Sequence, residues 1–274
     1  MRETEALKQI ARGLRRDIVE MIYRAGSGHP GGSLSIADLI TALYFDEMNQ
    51  SSDRAGDPAR DRFVLSKGHT APALYAALAK AGYFDREELW KLRQVGAILQ
   101  GHPDRKGTPG VDASTGSLGL GISAACGMAK AAKLYGDAYR VYAILGDGEL
   151  EEGQVWEAFL FAAHYKLDNL CVIIDANGLQ IDGPVCEVMN VEPIEEKLRA
   201  FGFATAVIDG HDFPAIFSAF DKARETKGAP FAVIAKTVKG KGVSFMENNA
   251  AWHGSAPNAE QFEQAMKELE EEDA

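Results

Sequence analysis

The stretch Leu145–Gly183, LGDGELEEGQVWEAFLFAAHYKLDNLCVIIDANGLQIDG, decides the fold. Asp147 stands between two glycines at the end of the apolar run VYAILG, and Asn177 stands thirty residues on, just past a second apolar run, LCVIID. Both runs are almost continuously apolar rather than alternating, the pattern of a strand covered on both faces. Between them lies a helical pattern over 153–165. A strand, a helix and a second buried strand make a parallel unit, with both polar residues at carboxyl ends, where open α/β sheets bind their ligands.

The same pattern extends outward. Further strand-like runs are RFVLS (62–66), ATAVID (204–209) and FAVIAKT (231–237). Helical patterns cover 3–25, 35–47, 71–81, 86–94, 121–135, 193–201 and 213–226. Strands alternating with helices predict an α/β fold with a doubly wound, mainly parallel sheet. With no internal repeat, low-complexity linker or Pro/Ser-rich boundary, residues 1–274 read as one domain with functional loops at 26–34, 96–120 and 240–258. The C-terminal KELEEEDA reads as a solvated end.

Composition excludes several functions. With 29 Lys and Arg against 40 Asp and Glu, the net charge is −11, unsuited to nucleic acid or an anionic membrane. No apolar run reaches the length of a membrane span and no signal peptide leads the chain, so a cytoplasmic protein is expected. Cys126, Cys171 and Cys186 form no C-x-x-C and read as buried, reduced thiols.

The Asp147 and Asn177 oxygens are hard ligands, suited to Mg²⁺ or Ca²⁺ and poor for zinc. Mg²⁺ keeps few protein ligands and completes its shell with phosphate oxygens and water. Gly146 and Gly148 let a phosphate approach the backbone, and the helix beginning near Glu152 offers its N-terminus to an anion. Together these features predict a metal-bridged diphosphate site; separately, Gly-Asp-Gly and Asn-Gly are ordinary turns. Two other phosphate motifs fail. GELEEGQV (148–155) has Gln154 where a P-loop needs lysine, and GLGISA (119–124) follows a loop instead of a strand.

Four of the six histidines occupy short glycine-containing segments: His29 in SGHPGG, His69 in SKGHTA, His102 in QGHPDR and His253 in AWHGSA. None has zinc spacing. Grouped around a pocket, imidazoles bind hydroxyls and move protons near neutral pH. His211 in DGHD reads as turn structure and His164 as an ordinary helix position.

In order along the chain, SGHPGGS, LSKGHTAPALY, GHP, STGSLGLGISAACGMA, the Gly-Asp-Gly…Asn segment and AWHGSAP resemble the loops of transketolase, from about Ile18 to Pro257. The Gly-Asp-Gly…Asn segment alone resembles the thiamin-diphosphate motif and would place the chain only among thiamin-diphosphate enzymes; the ordered histidine segments are much more specific to transketolase. The resemblance implies thiamin diphosphate and Mg²⁺ as cofactors, with Asp147, Asn177 and the Leu179 carbonyl as metal ligands. It implies cofactor contacts at His69, Gly116, Ser117, Leu118, Gly148 and Lys239. His29, His102 and His253 match residues of the sugar channel, His253 also reaching the cofactor, and Glu152 matches an interface glutamate linking paired active sites. The Gly31–Gly32 pair departs from the commoner GHP-G/T-A/S-P loop and bears on donor contacts.

Full-length transketolases continue into a pyrimidine-binding domain, which supplies the cofactor-activating glutamate and the sugar-phosphate arginines, and a C-terminal domain. The expectation is therefore the N-terminal subunit of a split transketolase, assembled as two copies with two of a C-terminal partner and transferring a two-carbon ketol unit between sugar phosphates. A different thiamin-diphosphate enzyme resembling deoxyxylulose-phosphate synthase, a transketolase for an unusual sugar, and a non-catalytic cofactor-binding subunit stay open.

Overall fold

The computed structural model describes residues 3–271. Five parallel strands form the central sheet: β1 (Arg62–Leu65), β2 (Val141–Gly146), β3 (Leu170–Ala176), β6 (Ala204–Asp209) and β7 (Phe231–Lys236), in the order β1-β2-β3-β7-β6. All five are the runs expected from sequence. A two-stranded antiparallel hairpin, β4 (Leu179–Gln180) and β5 (Gly183–Pro184), follows β3 and has no counterpart among the expected strands.

Helices cover both faces of the sheet. On one face lie α5 (Leu120–Tyr135), α6 (Gly153–His164), the short α7 (Val185–Val188) and α8 (Ile194–Ala200), packing Ile122, Val155, Phe159 and Leu198 against Val172 and Ile174 of β3. On the other lie α1 (Thr4–Ala25), α2 (Pro30–Ser35), α3 (Ala37–Ala42), α4 (Ala71–Lys80), α9 (Phe213–Glu225) and α10 (Ala259–Glu271), with Cys171 and Ile173 of β3 facing them. Alternate residues of β3 thus enter opposite cores, which is why the strand reads as an unbroken apolar run.

This winding creates the crevice. After β3 the chain turns onto the face of α8, whereas after β7 the 237–258 segment packs Val243 and Met246 into the opposite core. Two neighbouring strands that send their chains to opposite faces leave a gap above their carboxyl ends.

Several sequence expectations are corrected. The helix expected over 35–47 is broken: α2 ends at Ser35, α3 at Ala42, and a wider π turn covers Leu43–Glu47. Ser35 Oγ donates to the Gly32 carbonyl at 3.1 Å and to Asp175 at 2.7 Å, side-chain bonds that compete with the helical ladder. The segment KELEEEDA, read as a solvated end, continues a helix to Glu271 and exposes Lys267 and Glu270 but buries Leu269; residues 272–274 lie outside the described residues. Cys126 and Cys171 are buried, but Cys186 is exposed.

Candidate functional site

A cleft of about 330 Å³ opens over the carboxyl ends of β1, β2, β3 and β7. It brings together His29, His69, Gly116, Leu118, Asp147, Gly148, Glu152, Asn177, Leu179, Lys239 and His253, residues spread over more than two hundred positions of sequence. Two expected site residues do not line it. Ser117 is exposed beyond the wall, and His102 is exposed with its ring against Gly116, where an added Cβ would lie 3.1 Å from His102 Cδ2.

Asp147 is 4% exposed, and its carboxylate is held by two backbone amides, Gly148 at 2.9 Å and Gly178 at 2.6 Å. Burial, reinforced by the Asp175 charge, pushes its pKa up to about 6. Gly148 is required by close approach: a Cβ there would stand 2.8 Å from Gln180 Cβ. Asn177 Oδ1 accepts the Leu179 amide at 3.1 Å and keeps one lone pair free. The Leu179 carbonyl accepts Lys239 Nζ at 3.0 Å, so a cationic group already faces it. Among the described residues no group of three or more His, Cys, Asp or Glu side chains could hold a metal. The donors here are mixed instead: one carboxylate, one amide oxygen and one carbonyl. These are hard oxygens, few in number, and fit Mg²⁺, which leaves the rest of its shell to phosphate and water.

The opposite wall is cationic and imidazole-rich. The rings of His29, His69 and His253 have centroids 5.1–5.5 Å apart. Burial lowers the His29 pKa to about 4 and, with Lys239 adding to it, the His253 pKa to about 3. His69 is driven well below the usual histidine range by burial and then by Lys67. All three are neutral at pH 7 and present one donor and one acceptor each. Lys239 is nearly buried, and its pKa falls to about 8 through burial and repulsion from Lys67. The Gly31–Gly32 pair serves packing here: a Cβ on Gly31 would meet the Trp252 carbonyl at 2.9 Å, and one on Gly32 would meet Thr70 Cγ2 at 2.8 Å.

The sequence reading assigns no role to three charged residues of the site, Lys67 and Glu149 in the lining of the cleft and Asp175 buried beneath it. Glu149 is buried and accepts Ser66 Oγ at 2.5 Å and the amides of Gly119 and Gly146 at 2.9 and 3.2 Å, tying the ends of β1 and β2 to the start of α5. Lys67 and Asp175 form a buried ion pair at 2.5 Å. The available signal is a charged residue directly at the end of an apolar strand run. His211, which reads as turn structure, does more: its Nε2 accepts the Val238 amide at 2.9 Å while its Nδ1 donates to Asp38 at 2.7 Å, bracing the segment that carries Lys239. Glu152 is exposed at the mouth of the cleft. Leu120 beside it is 54% exposed, whereas Ile122 is fully buried.

Residues 5–273 match the family described as "Transketolase, thiamine diphosphate binding domain". The chain belongs to the transketolase family. Its mainly parallel α/β fold is that of the transketolase N-terminal domain: it superposes on transketolase from Leishmania mexicana with TM-score 0.91 at 32% identity, covering 96% of this chain and 41% of that one. Among curated relatives it is 46% identical to the 6-deoxy-6-sulfo-D-fructose transketolase subunit SqwG of a Clostridium species, covering 98% of both chains. It is 43% identical to one subunit of the apulose-4-phosphate transketolase of Phocaeicola vulgatus, over 98% of this chain and 95% of that one. Against human transketolase it is 43% identical over 97% of its own length, but spans only 42% of the human chain. As a transketolase-family chain it carries a thiamin-diphosphate-binding domain. No helix among the described residues is long and apolar enough to cross a membrane.

Proposed function

We infer that this chain is the diphosphate-binding subunit of a two-chain transketolase, a single domain completed by a C-terminal partner that carries the pyrimidine-binding domain. Together they transfer a two-carbon ketol unit from a ketose phosphate to an aldose phosphate. One observation carries this reading: Asp147, Asn177 and the Leu179 carbonyl face a single cleft with Lys239 and three neutral histidines. Subunit-named relatives of matching length support the two-chain arrangement.

Asp147, Asn177 and Leu179 would hold Mg²⁺, with Ca²⁺ as a substitute, and the metal would neutralise the diphosphate. Lys239 and His69, with the backbone at Gly116, Leu118 and Gly148, would hold the cofactor. Thiamin diphosphate, when bound, supplies the electron sink for a two-carbon carbanion. His29 and His253 are neutral, so they accept or donate hydrogen bonds to sugar hydroxyls and exchange protons there. His102 lies further out and would meet the sugar at the channel entrance. Glu152, exposed at the mouth, is offered to a facing protomer. The relatives named for sulfofructose and apulose phosphate favour a sugar outside the common pentose phosphates, and product analysis with different donors decides among them.

Ketol transfer by the purified chain alone and after mixing with a pyrimidine-domain chain tests this reading. Turnover in the mixture and none from the single chain is expected. Sustained turnover by this chain alone, free of contaminants, contradicts it.

A further inference from the structure

We propose that Asp175 is a positioning residue that fixes the amide of Asn177 so that its oxygen, and not its nitrogen, is presented to the divalent cation. This rests on the metal site described above. Asp175 is fully buried at the end of β3, and its carboxylate is a junction of four segments. Oδ2 accepts Lys67 Nζ at 2.5 Å, Ser35 Oγ at 2.7 Å and Asn177 Nδ2 at 2.8 Å, while Oδ1 accepts Thr237 Oγ1. A carboxylate has about four acceptor positions. Three bonds converge on Oδ2 and one on Oδ1, and the fully buried side chain does not line the cleft, so Asp175 is not itself a ligand although it lies two residues from one.

Its work is orientation. An Asn side chain can turn over, exchanging Oδ1 for Nδ2 at nearly the same position. With Nδ2 facing a metal, the residue repels rather than ligates. The anionic Asp175 Oδ2 accepts only from a donor, and so selects the orientation that aims Nδ2 downward and Oδ1 at the Leu179 amide and the cleft. The carboxylate is suited to that role because the buried Lys67 ammonium pairs with it at 2.5 Å. Lys67 also donates to the Gly32 carbonyl at 2.9 Å, and Thr237 leads to Lys239, so the same junction sets the spacing between the metal ligands and the cationic wall.

The test reverses ordinary ligand chemistry. Adding a negative ligand normally strengthens binding of a hard cation. In N177D the new carboxylate cannot donate to Asp175 and is repelled by it. Mn²⁺ binding in the presence of thiamin diphosphate, read by electron paramagnetic resonance on the full chain with its partner, is therefore expected to weaken at least tenfold. The wild-type Asn177 side-chain amide protons, held against Asp175, are expected to exchange slowly with solvent. N177D binding Mn²⁺ as tightly as wild type, or fast exchange of those amide protons in the wild-type chain, overturns the proposal. Asp147→Ala separates the two readings: if it leaves Mn²⁺ affinity unchanged, the metal site itself is misplaced.

Discussion

Lys239 Nζ lies 3.1 Å from His253 Nδ1, a buried ammonium donating to an imidazole that burial and this same charge keep neutral. The ammonium also reaches the Leu179 carbonyl, so it joins the histidine wall to the side of the cleft that holds Asn177 and Leu179. Lys239→Met keeps most of the buried stem and removes the charge. A charge-assisted hydrogen bond contributes roughly 1.5–3 kcal/mol. Thiamin diphosphate binding in the assembled enzyme should therefore weaken about 10- to 100-fold by calorimetric titration, with no loss of thermal stability, because a desolvated cation has been removed. Undiminished affinity would place the diphosphate away from Lys239.

The depressed histidine pKa values make stability pH-dependent with a definite sign. In the folded chain His253 titrates near 3, against 6.5 in the unfolded chain. As pH falls below 6.5 the unfolded chain takes up a proton that the folded chain does not, so stability declines until about pH 3. Asp147, raised to about 6, acts in the opposite direction between that value and 3.8, but it is common to both proteins when wild type is compared with His253→Gln. Urea unfolding at pH 7, 6 and 5 should show a steeper decline for wild type than for the variant. Parallel declines would mean that His253 is protonated in the folded chain.

His211→Ala should destabilise the chain by about 2–3 kcal/mol, because it strips partners from the Val238 amide and from one oxygen of Asp38. Asp38 keeps Arg15, whose guanidinium spans both its oxygens at 3.1 and 2.5 Å, so the fold should survive. Chemical denaturation measures the loss, and a change under about 0.5 kcal/mol, the range of an ordinary surface substitution, would return His211 to a plain turn position.

The parts of the site legible in sequence are those with a local signature. Asp147 and Asn177 announce themselves by following apolar strands, and the parallel sheet by its uninterrupted runs. His29, His69 and His253 stand out in short glycine-containing loops. Asp175, Lys67 and Glu149 stand beside the same apolar runs, but their roles do not show there, since most of their partners come from segments 30 to 140 residues away and only the closed sheet brings them together. His211 is hidden for the same reason: DGHD does form a turn, but its imidazole is spent on Asp38 and Val238. The many carboxylates of the C-terminal helix mask the spacing of Ala265 and Leu269, which pack against the α1 side of the core. His102 shows the converse: its GHP segment looks like those of the cleft histidines, yet the loop carries it outside the wall.

The cleft above β2 and β3 is tested most directly by titrating thiamin diphosphate with Mg²⁺ into the assembled enzyme, wild type against Asp147→Ala. Removing the one anionic donor should abolish Mg²⁺-dependent binding, and wild-type binding should weaken as pH drops below about 6, where a proton competes for the Asp147 carboxylate. Unchanged affinity in Asp147→Ala would contradict the assignment of this cleft as the cofactor site.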